Sequence, residues 1–181
     1  MIYVFLADGF EEAEALVTVD ILRRAGYKVT TVGIDKKEIV GAHGIKVFAD
    51  IKTGEYAAID LEGVVLPGGM PGTLNLGANK TVCDAAKNAF LRGKVVAAIC
   101  AAPSVLGKLG ILKGKAATCY PGFEAELVGA RYVNAPTVTD GNVVTARGAG
   151  AVFDFGFSIV DMLSGSTEAS AKLRESMQCA R

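Results

Sequence analysis

The stretch Val95-Val96-Ala97-Ala98-Ile99-Cys100-Ala101-Ala102-Pro103 decides the fold of this chain. Every residue from 95 to 99 is apolar, which is typical of a parallel strand covered by helices on both faces. The segment 101–109 is rich in helix formers and has Pro103 in its first turn, where a missing N–H costs little. Cys100 is therefore predicted at a strand-to-helix elbow. Backbone donors there favour a thiolate and hence a nucleophile or redox sensor, although a small buried cysteine at a strand end is the alternative.

Strand-like and helix-like segments alternate from the first residue, which predicts a mostly parallel sheet between two helical layers. The first unit is a strand at 2–6, a helix at about 11–25 and a strand at about 28–33, followed by a hairpin within 38–50. Further strands are predicted at 63–66, 95–99, 115–119, 131–133, 137–139 and 142–145, and further helices at 79–92, 101–109, 122–128, 151–163 and 167–178. We expect one α/β domain spanning residues 1–181.

Composition narrows the classes of function. Nineteen basic residues balance nineteen acidic ones without a long block of either sign, so no nucleic-acid or anionic-membrane surface is predicted. The first residues lack a signal-peptide pattern, and no apolar run reaches membrane-spanning length. The four cysteines show neither a CxxC pair nor zinc spacing, so we expect no metal site and a reducing, cytoplasmic location.

Ligands of open parallel sheets bind at the carboxyl ends of the strands, where the loops after Leu6 and Leu66 are expected to meet Cys100. Gly68 and Gly69 let the backbone approach a ligand closely, so their N–H groups could join that of Ala101 in binding an oxyanion. Glycines also make tight turns, and the pair alone is weak evidence.

Glu14 is predicted to face the interior. Asp8 is expected to cap the first helix, with Glu11 three residues later as in a capping box. Glu14 shares a helical stripe with Phe10 and Val17, which places it on the buried side. A buried carboxyl would have a raised pKa and could donate a proton, whereas the alternative is a partly exposed acid at a frayed helix start.

The remaining candidate residues give weaker evidence for a functional role. His43, the single histidine, is predicted in the hairpin turn, although a Cys–His pair with Cys100 is conceivable. The segment Arg147-Gly148-Ala149-Gly150 follows a strand and opens a helix, a pattern that suits phosphate but lacks a complete nucleotide fingerprint. The remaining cysteines are interpreted as structural or surface thiols, and they are Cys83, Cys119 and Cys179.

Four motifs together resemble the ThiJ/PfpI superfamily, and the branch of the Parkinson-disease-associated protein deglycase in particular. They are Leu6-Ala7-Asp8-Gly9-Phe10-Glu11-Glu12-Ala13-Glu14, Leu66-Pro67-Gly68-Gly69, Ala98-Ile99-Cys100-Ala101-Ala102-Pro103 and Ala146-Arg147-Gly148-Ala149-Gly150. The resemblance implies a flavodoxin-like three-layer α/β/α sandwich, usually a homodimer. It also implies Cys100 as nucleophile, Glu14 as its hydrogen-bonded acid, and Gly69 with Ala101 as the backbone oxyanion site.

One position departs from that pattern. Where many members have a histidine before a proline, this chain has Tyr120 before Pro121. The substitution removes the best general base for protease or amidase chemistry, although Tyr120 can still donate a hydrogen bond. Tyr120, Arg147 and His43 are candidates for facing the substrate, His43 from the partner subunit of a dimer.

The expected function is that of a deglycase or cofactor-free glyoxalase. Its substrates would be reactive dicarbonyls such as methylglyoxal and glyoxal, or their early adducts with protein thiols and amines, and no metal or organic cofactor is implied. The alternative is a non-enzymatic redox sensor or stress chaperone that acts through oxidation of Cys100. A PfpI-type protease or amidase is a third and weaker reading.

Overall fold

A computed structural model describes residues 1–179 as a mostly parallel sheet between two layers of helices. Seven strands of that part form the main sheet, and they are β1 Ile2–Leu6, β2 Val29–Gly33, β5 Ile51–Lys52, β6 Gly63–Leu66, β7 Val95–Ile99, β10 Thr137–Asp140 and β11 Val143–Ala146. Their order across the sheet is β10-β11-β7-β6-β1-β2-β5. Only β10 runs antiparallel to its neighbour. The predicted flavodoxin-like α/β sandwich is thus confirmed.

Two small pairs of strands lie outside the main sheet. The predicted hairpin consists of β3 Glu38–Val40 and β4 Lys46–Phe48, paired antiparallel. The other pair is β8 Ala116–Ala117 and β9 Arg131–Tyr132, which run parallel.

The helices divide between the two faces of the sheet. Their bounds are α1 Glu12–Arg24, α2 Gly72–Ala78, α3 Lys80–Leu91, α4 Pro103–Lys108, α5 Val152–Ser164 and α6 Glu168–Ser176. Alternate residues of β1 enter different cores: Val4 packs with α1 and α5, and Phe5 packs with α3 and α4. This two-sided burial explains why the strands are apolar throughout.

Helix α1, which carries Glu14, packs closely against α5. A Cβ at Gly156 of α5 would lie 2.6 Å from Cδ1 of Ile21 of α1, so only glycine fits this crossing without displacement. Both Ile21 and the neighbouring Leu22 are fully buried.

Four details differ from the sequence predictions. Neither helix α2 nor strand β5 was predicted, and the helix predicted at 122–128 is only a single 3₁₀ turn at Glu124–Glu126. The cap of α1 is Glu11 and not Asp8, because the Glu11 side chain accepts from the Glu14 N–H at 2.6 Å. Asp8 instead accepts from the Val40 N–H and pairs with Lys36. Within the described residues, no helix is long and apolar enough to cross a membrane.

Candidate active site

Cys100 lies directly after β7, at the carboxyl edge of the sheet, in a strained backbone conformation. Its φ is +64°, a left-handed value that costs a non-glycine residue about 1–2 kcal/mol. The surrounding chain holds it there: the Cys100 N–H donates to the Ala146 carbonyl, and its carbonyl accepts from the Tyr120 N–H, both at 2.8 Å. Pro103 begins α4 three residues later, as predicted. A strained side chain fixed at a strand-to-helix turn is typical of functional sites.

Glu14 is brought to Cys100 by the first turn of α1. Its side chain is 1% exposed, which confirms the predicted burial. The carboxylate Oε2 accepts from the Gly68 N–H at 2.8 Å, which places it beside Cys100, and the two groups shift each other's pKa. Residues 14 and 100 therefore meet across the glycine loop that follows β6.

Glu14 and Cys100 can approach each other closely because Gly68 and Gly69, in the loop after β6, have no side chains. A Cβ at Gly68 would lie 2.5 Å from the Cys100 Cβ and 2.7 Å from the Glu14 Oε2. Gly69 adopts a φ of +87°, which favours glycine, and the N–H groups of Gly69 and Ala101 are close enough to the Cys100 thiol to lower its pKa. The two donors predicted for an oxyanion site thus converge on the thiol.

The two acids have strongly shifted pKa values. Burial raises the pKa of Glu14 from 4.5 to about 7, and the Gly68 N–H only partly opposes this. Burial and the charge of Glu14 together raise the pKa of Cys100 from 9.0 to about 12. The Gly69 and Ala101 donors lower the pKa of Cys100, as predicted, but burial and the charge of Glu14 raise it by more.

The pair is better described as one coupled acid. Its first proton leaves near pH 7, and its second is held to about pH 12. A thiolate beside a neutral carboxyl contains the same single proton as a thiol beside a carboxylate. A reactive thiolate therefore forms near neutral pH only when Glu14 takes the proton.

The raised pKa of Glu14 predicts a specific pH dependence of stability. Between pH 4.5 and 7 the folded protein binds more protons than the unfolded chain, so its free energy of unfolding falls as the pH rises. The loss amounts to about 3 kcal/mol from this group. Urea unfolding of Glu14→Gln should lack this loss, so the variant should gain stability relative to the wild type as the pH rises from 4.5 to 7. An equal pH dependence in both proteins would contradict the assignment.

Tyr120 lies at the rim of the same site. Its backbone binds the Cys100 carbonyl, and half of the residue is exposed. Its ring packs over Gly148, where an added Cβ would lie 3.4 Å from Cδ2. Arg147, the preceding residue, is exposed and donates its N–H to the Pro136 carbonyl. Both residues thus remain candidates for contacting a substrate.

His43 instead belongs to a group of hydrogen bonds that links the hairpin to α1. Its Nδ1 is 2.7 Å from Oε2 of the buried Glu12, whose Oε1 accepts from the backbone N–H groups of His43 and Ile45. The hydrogen bond and charge of Glu12 raise the pKa of His43. Glu11, Glu12 and His43 offer ligand atoms within 4.8 Å of one another. Because Glu12 is already occupied by the hairpin, we interpret this group as structural.

Sequence reasoning missed two supporting residues. It treated Gly68 only as a source of oxyanion donors, whereas its N–H binds the Glu14 carboxylate. It also assigned Glu11 to the second position of a capping box behind Asp8, whereas the Glu11 side chain itself caps the helix at the Glu14 N–H. The spacing of Glu11 and Glu14, three residues apart, was the available signal for the cap.

The sheet order and the site define a class of protein: a flavodoxin-like α/β fold with a cysteine at a strand-to-helix elbow and a buried carboxyl beside it. The chain belongs to the DJ-1/PfpI family, whose model matches residues 1–162.

Similarity extends over nearly the whole chain. Protein dj-1beta of Drosophila melanogaster is 39% identical over 165 residues, which cover 90% of this chain and 88% of that protein. A deglycase of Pyrococcus abyssi is 32% identical over 165 residues, covering 90% and 98%. The crystal structure of a DJ-1 superfamily protein from Salmonella typhimurium matches with a TM-score of 0.94 at 36% identity, covering 99% of this chain and 98% of that chain.

Proposed function

We propose that the protein is a cysteine-dependent deglycase or glyoxalase that acts on methylglyoxal, glyoxal or their early adducts with thiols and amines. The relative named as a deglycase supports activity of this kind. The observation that carries the proposal is the position of the buried Glu14 carboxyl beside Cys100, where both approach Gly68 closely. A nucleophile and a proton carrier with a pKa of about 7 are the two groups that this chemistry requires.

The proposed reaction begins when the Cys100 thiolate attacks the aldehyde carbon of methylglyoxal. The resulting oxyanion lies on the Gly69 and Ala101 N–H groups and takes the proton of Glu14, which gives a hemithioacetal. The Glu14 carboxylate then removes the hydrogen on that carbon and returns a proton to the neighbouring carbon, while the hydroxyl proton passes to the adjacent carbonyl oxygen. The product is a lactoyl thioester. Water hydrolyses it to lactate and restores the thiol, so the sequence is redox-neutral overall.

Lactate formation from methylglyoxal by purified, metal-stripped protein tests the proposal. We expect many equivalents of lactate per protein chain. A yield no greater than that of free cysteine at equal concentration would refute the enzymatic reading.

The second candidate is a redox sensor in which Cys100 is oxidised to a sulfinate. The same pair favours it, because a neutral Glu14 can donate a hydrogen bond to a sulfinate oxygen. Absence of lactate together with protection of Cys100 against oxidation beyond the sulfinate would support this function instead. An amidase function has less support, since Tyr120 stands where the family resemblance places a histidine base.

We infer that the chain forms a two-fold homodimer through the face that carries α1. Several apolar side chains of α1 pack in the protein's own core, and they are Ala15, Ile21 and Leu22. What remains exposed includes Leu16 of α1 at 41% and Phe48 of the hairpin at 75%. Both side chains are apolar surface that a second copy would cover.

Sedimentation at micromolar concentration is expected to give a dimer for the wild type and a monomer for Leu16→Arg. Leu91→Arg is the matched control, because Leu91 is 82% exposed and lies on α3, on the other face of the sheet. A monomeric wild type would contradict the inference. It would also exclude His43 as a residue that acts across subunits.

A further inference from the structure

Arg147 is a charged residue at the candidate site that the proposed reaction does not use. It follows Ala146, whose carbonyl accepts from the Cys100 N–H at 2.8 Å. Consecutive Cα atoms are about 3.8 Å apart, so the Arg147 side chain starts one residue away from the backbone partner of the nucleophile. On its other side, Gly148 lies under the Tyr120 ring. Arg147 is thus placed at the rim of the site.

The Arg147 side chain is exposed and has no counter-ion within residues 1–179. Three other arginines each bind an aspartate at 2.7 to 2.9 Å, and they are Arg23, Arg24 and Arg174. A guanidinium without such a partner keeps its N–H donors free, and their planar arrangement matches the two oxygens of a carboxylate. Arg147 is therefore available to bind an anionic ligand.

Arg147 is also the one cation in the segments that hold the backbone of Cys100, which are 99–103, 118–122 and 145–149. The described groups that shift the pKa of Cys100 include Glu14 but not Arg147. The guanidinium thus does not contact the sulfur. A ligand that reaches both groups has to carry its negative charge several bonds away from the carbon that reacts with Cys100.

We propose that Arg147 binds the carboxylate of an anionic 2-oxoaldehyde and so makes such compounds better substrates than uncharged ones of equal length. This proposal rests on the proposed function of Cys100. Methylglyoxal is too short to use the guanidinium, because it ends in a methyl group beside its ketone. A compound of the required shape is 4,5-dioxopentanoate, in which two methylene groups separate the same ketone from a carboxylate. A bidentate, charge-assisted pair with arginine is the strongest contact that such a group can make.

The reaction of this compound follows the steps proposed for methylglyoxal. The Cys100 sulfur bonds to carbon 5, and Glu14 removes the hydrogen on carbon 5 and returns a proton to carbon 4. The hydroxyl proton passes to the oxygen on carbon 4. Water then cleaves the thioester, which gives 2-hydroxyglutarate and restores the thiol. Carbon 5 is oxidised and carbon 4 is reduced, so the reaction requires no external oxidant or reductant.

Steady-state kinetics with 4,5-dioxopentanoate and 2-oxopentanal test the proposal, since both compounds have five carbons and the same reacting groups. We expect the wild type to have a kcat/KM about tenfold or more higher for the anion, with the larger part of the difference in KM. Arg147→Gln should lower the ratio of the two kcat/KM values to about one. Arg147→Lys keeps the charge without the paired donors and should give an intermediate ratio.

Arg92→Gln is the matched control. Arg92 is exposed and follows α3, at the amino-terminal edge of the parallel strands and so at the opposite edge from Cys100. Its replacement removes the same charge from the protein and should leave the ratio unchanged. Equal kcat/KM values for the two compounds in the wild type, or the same ratio in Arg147→Gln as in Arg92→Gln, would overturn the proposal.

Protection of Cys100 against iodoacetamide tests the carboxylate site without turnover. 5-Oxopentanoate and pentanal both form a hemithioacetal with a thiol, but neither has a ketone beside the aldehyde. The anion should protect Cys100 of the wild type at an about tenfold lower concentration than pentanal and should lose this advantage in Arg147→Gln. If neither 2-oxoaldehyde is turned over but this difference is observed, the proposed function is wrong and the carboxylate site stands. Equal protection by the two aldehydes would overturn the site.

Discussion

Replacing Cys100 by serine is expected to reduce lactate formation from methylglyoxal by about a thousandfold or more. Serine fits the same strained elbow and keeps the fold. Its hydroxyl is far harder to ionise than a thiol, and a neutral Glu14 cannot hold it as an alkoxide. The nucleophile is thereby lost while the Gly69 and Ala101 donors remain. Steady-state rates on metal-stripped protein provide the measurement.

Cys83→Ser is the control for this variant. Cys83 lies on α3, and its sulfur donates to the Gly77 carbonyl, away from the strand-to-helix elbow. The control should turn over methylglyoxal at the wild-type rate. Full activity of Cys100→Ser would show that another group attacks the aldehyde and would remove the basis of the proposed mechanism.

Replacing Glu14 by glutamine is expected to lower turnover by about a hundredfold or more. Glutamine has nearly the same shape and can still hydrogen-bond the Cys100 sulfur through its amide. It cannot accept and return a proton, so the transfer between the two carbons of the hemithioacetal fails. Because a thiolate forms near neutral pH only when Glu14 takes the thiol proton, the initial attack on the aldehyde should also slow at neutral pH, and no hemithioacetal should accumulate on the protein.

Asp20→Asn provides the control on the same helix. Asp20 is paired with Arg24 on the exposed side of α1, and its neutralisation should leave turnover unchanged. If Glu14→Gln keeps full activity while Cys100→Ser has none, Glu14 is not the proton carrier. Tyr120 and His43 would then be the residues to replace.

The main features of the fold and the site follow from local sequence patterns. The apolar run 95–99 indicated a strand covered on both faces, and the core contains it in that form. The stripe that Glu14 shares with Phe10 indicated its burial, because helical spacing determines which side chains face the sheet. Each of these predictions depended on a few adjacent residues.

Three features depend on tertiary contacts that local sequence patterns do not reveal: the cap of α1, the helix α2 and the raised pKa of Cys100. Asp8 has the side chain of a helix cap, but the Val40 N–H and Lys36 engage it across the fold. Helix α2 contains Gly72 and Gly77, which disfavour a helix, and its packing on α4 overrides this weakness: a Cβ at Gly77 would lie 3.3 Å from Val105. The raised pKa of Cys100 likewise depends on Glu14, 86 positions away in the sequence.

The rate of alkylation of each cysteine by iodoacetamide as a function of pH tests most directly whether Cys100 and Glu14 share a proton. Mass spectrometry after brief labelling should show Cys100 as the most reactive of the four thiols, with a rise in rate near pH 7, where the pair loses its first proton. In Glu14→Gln that step should vanish, and the rate should rise only in alkaline solution. The same midpoint in both proteins, or faster labelling of Cys83, Cys119 or Cys179 than of Cys100, would contradict the account.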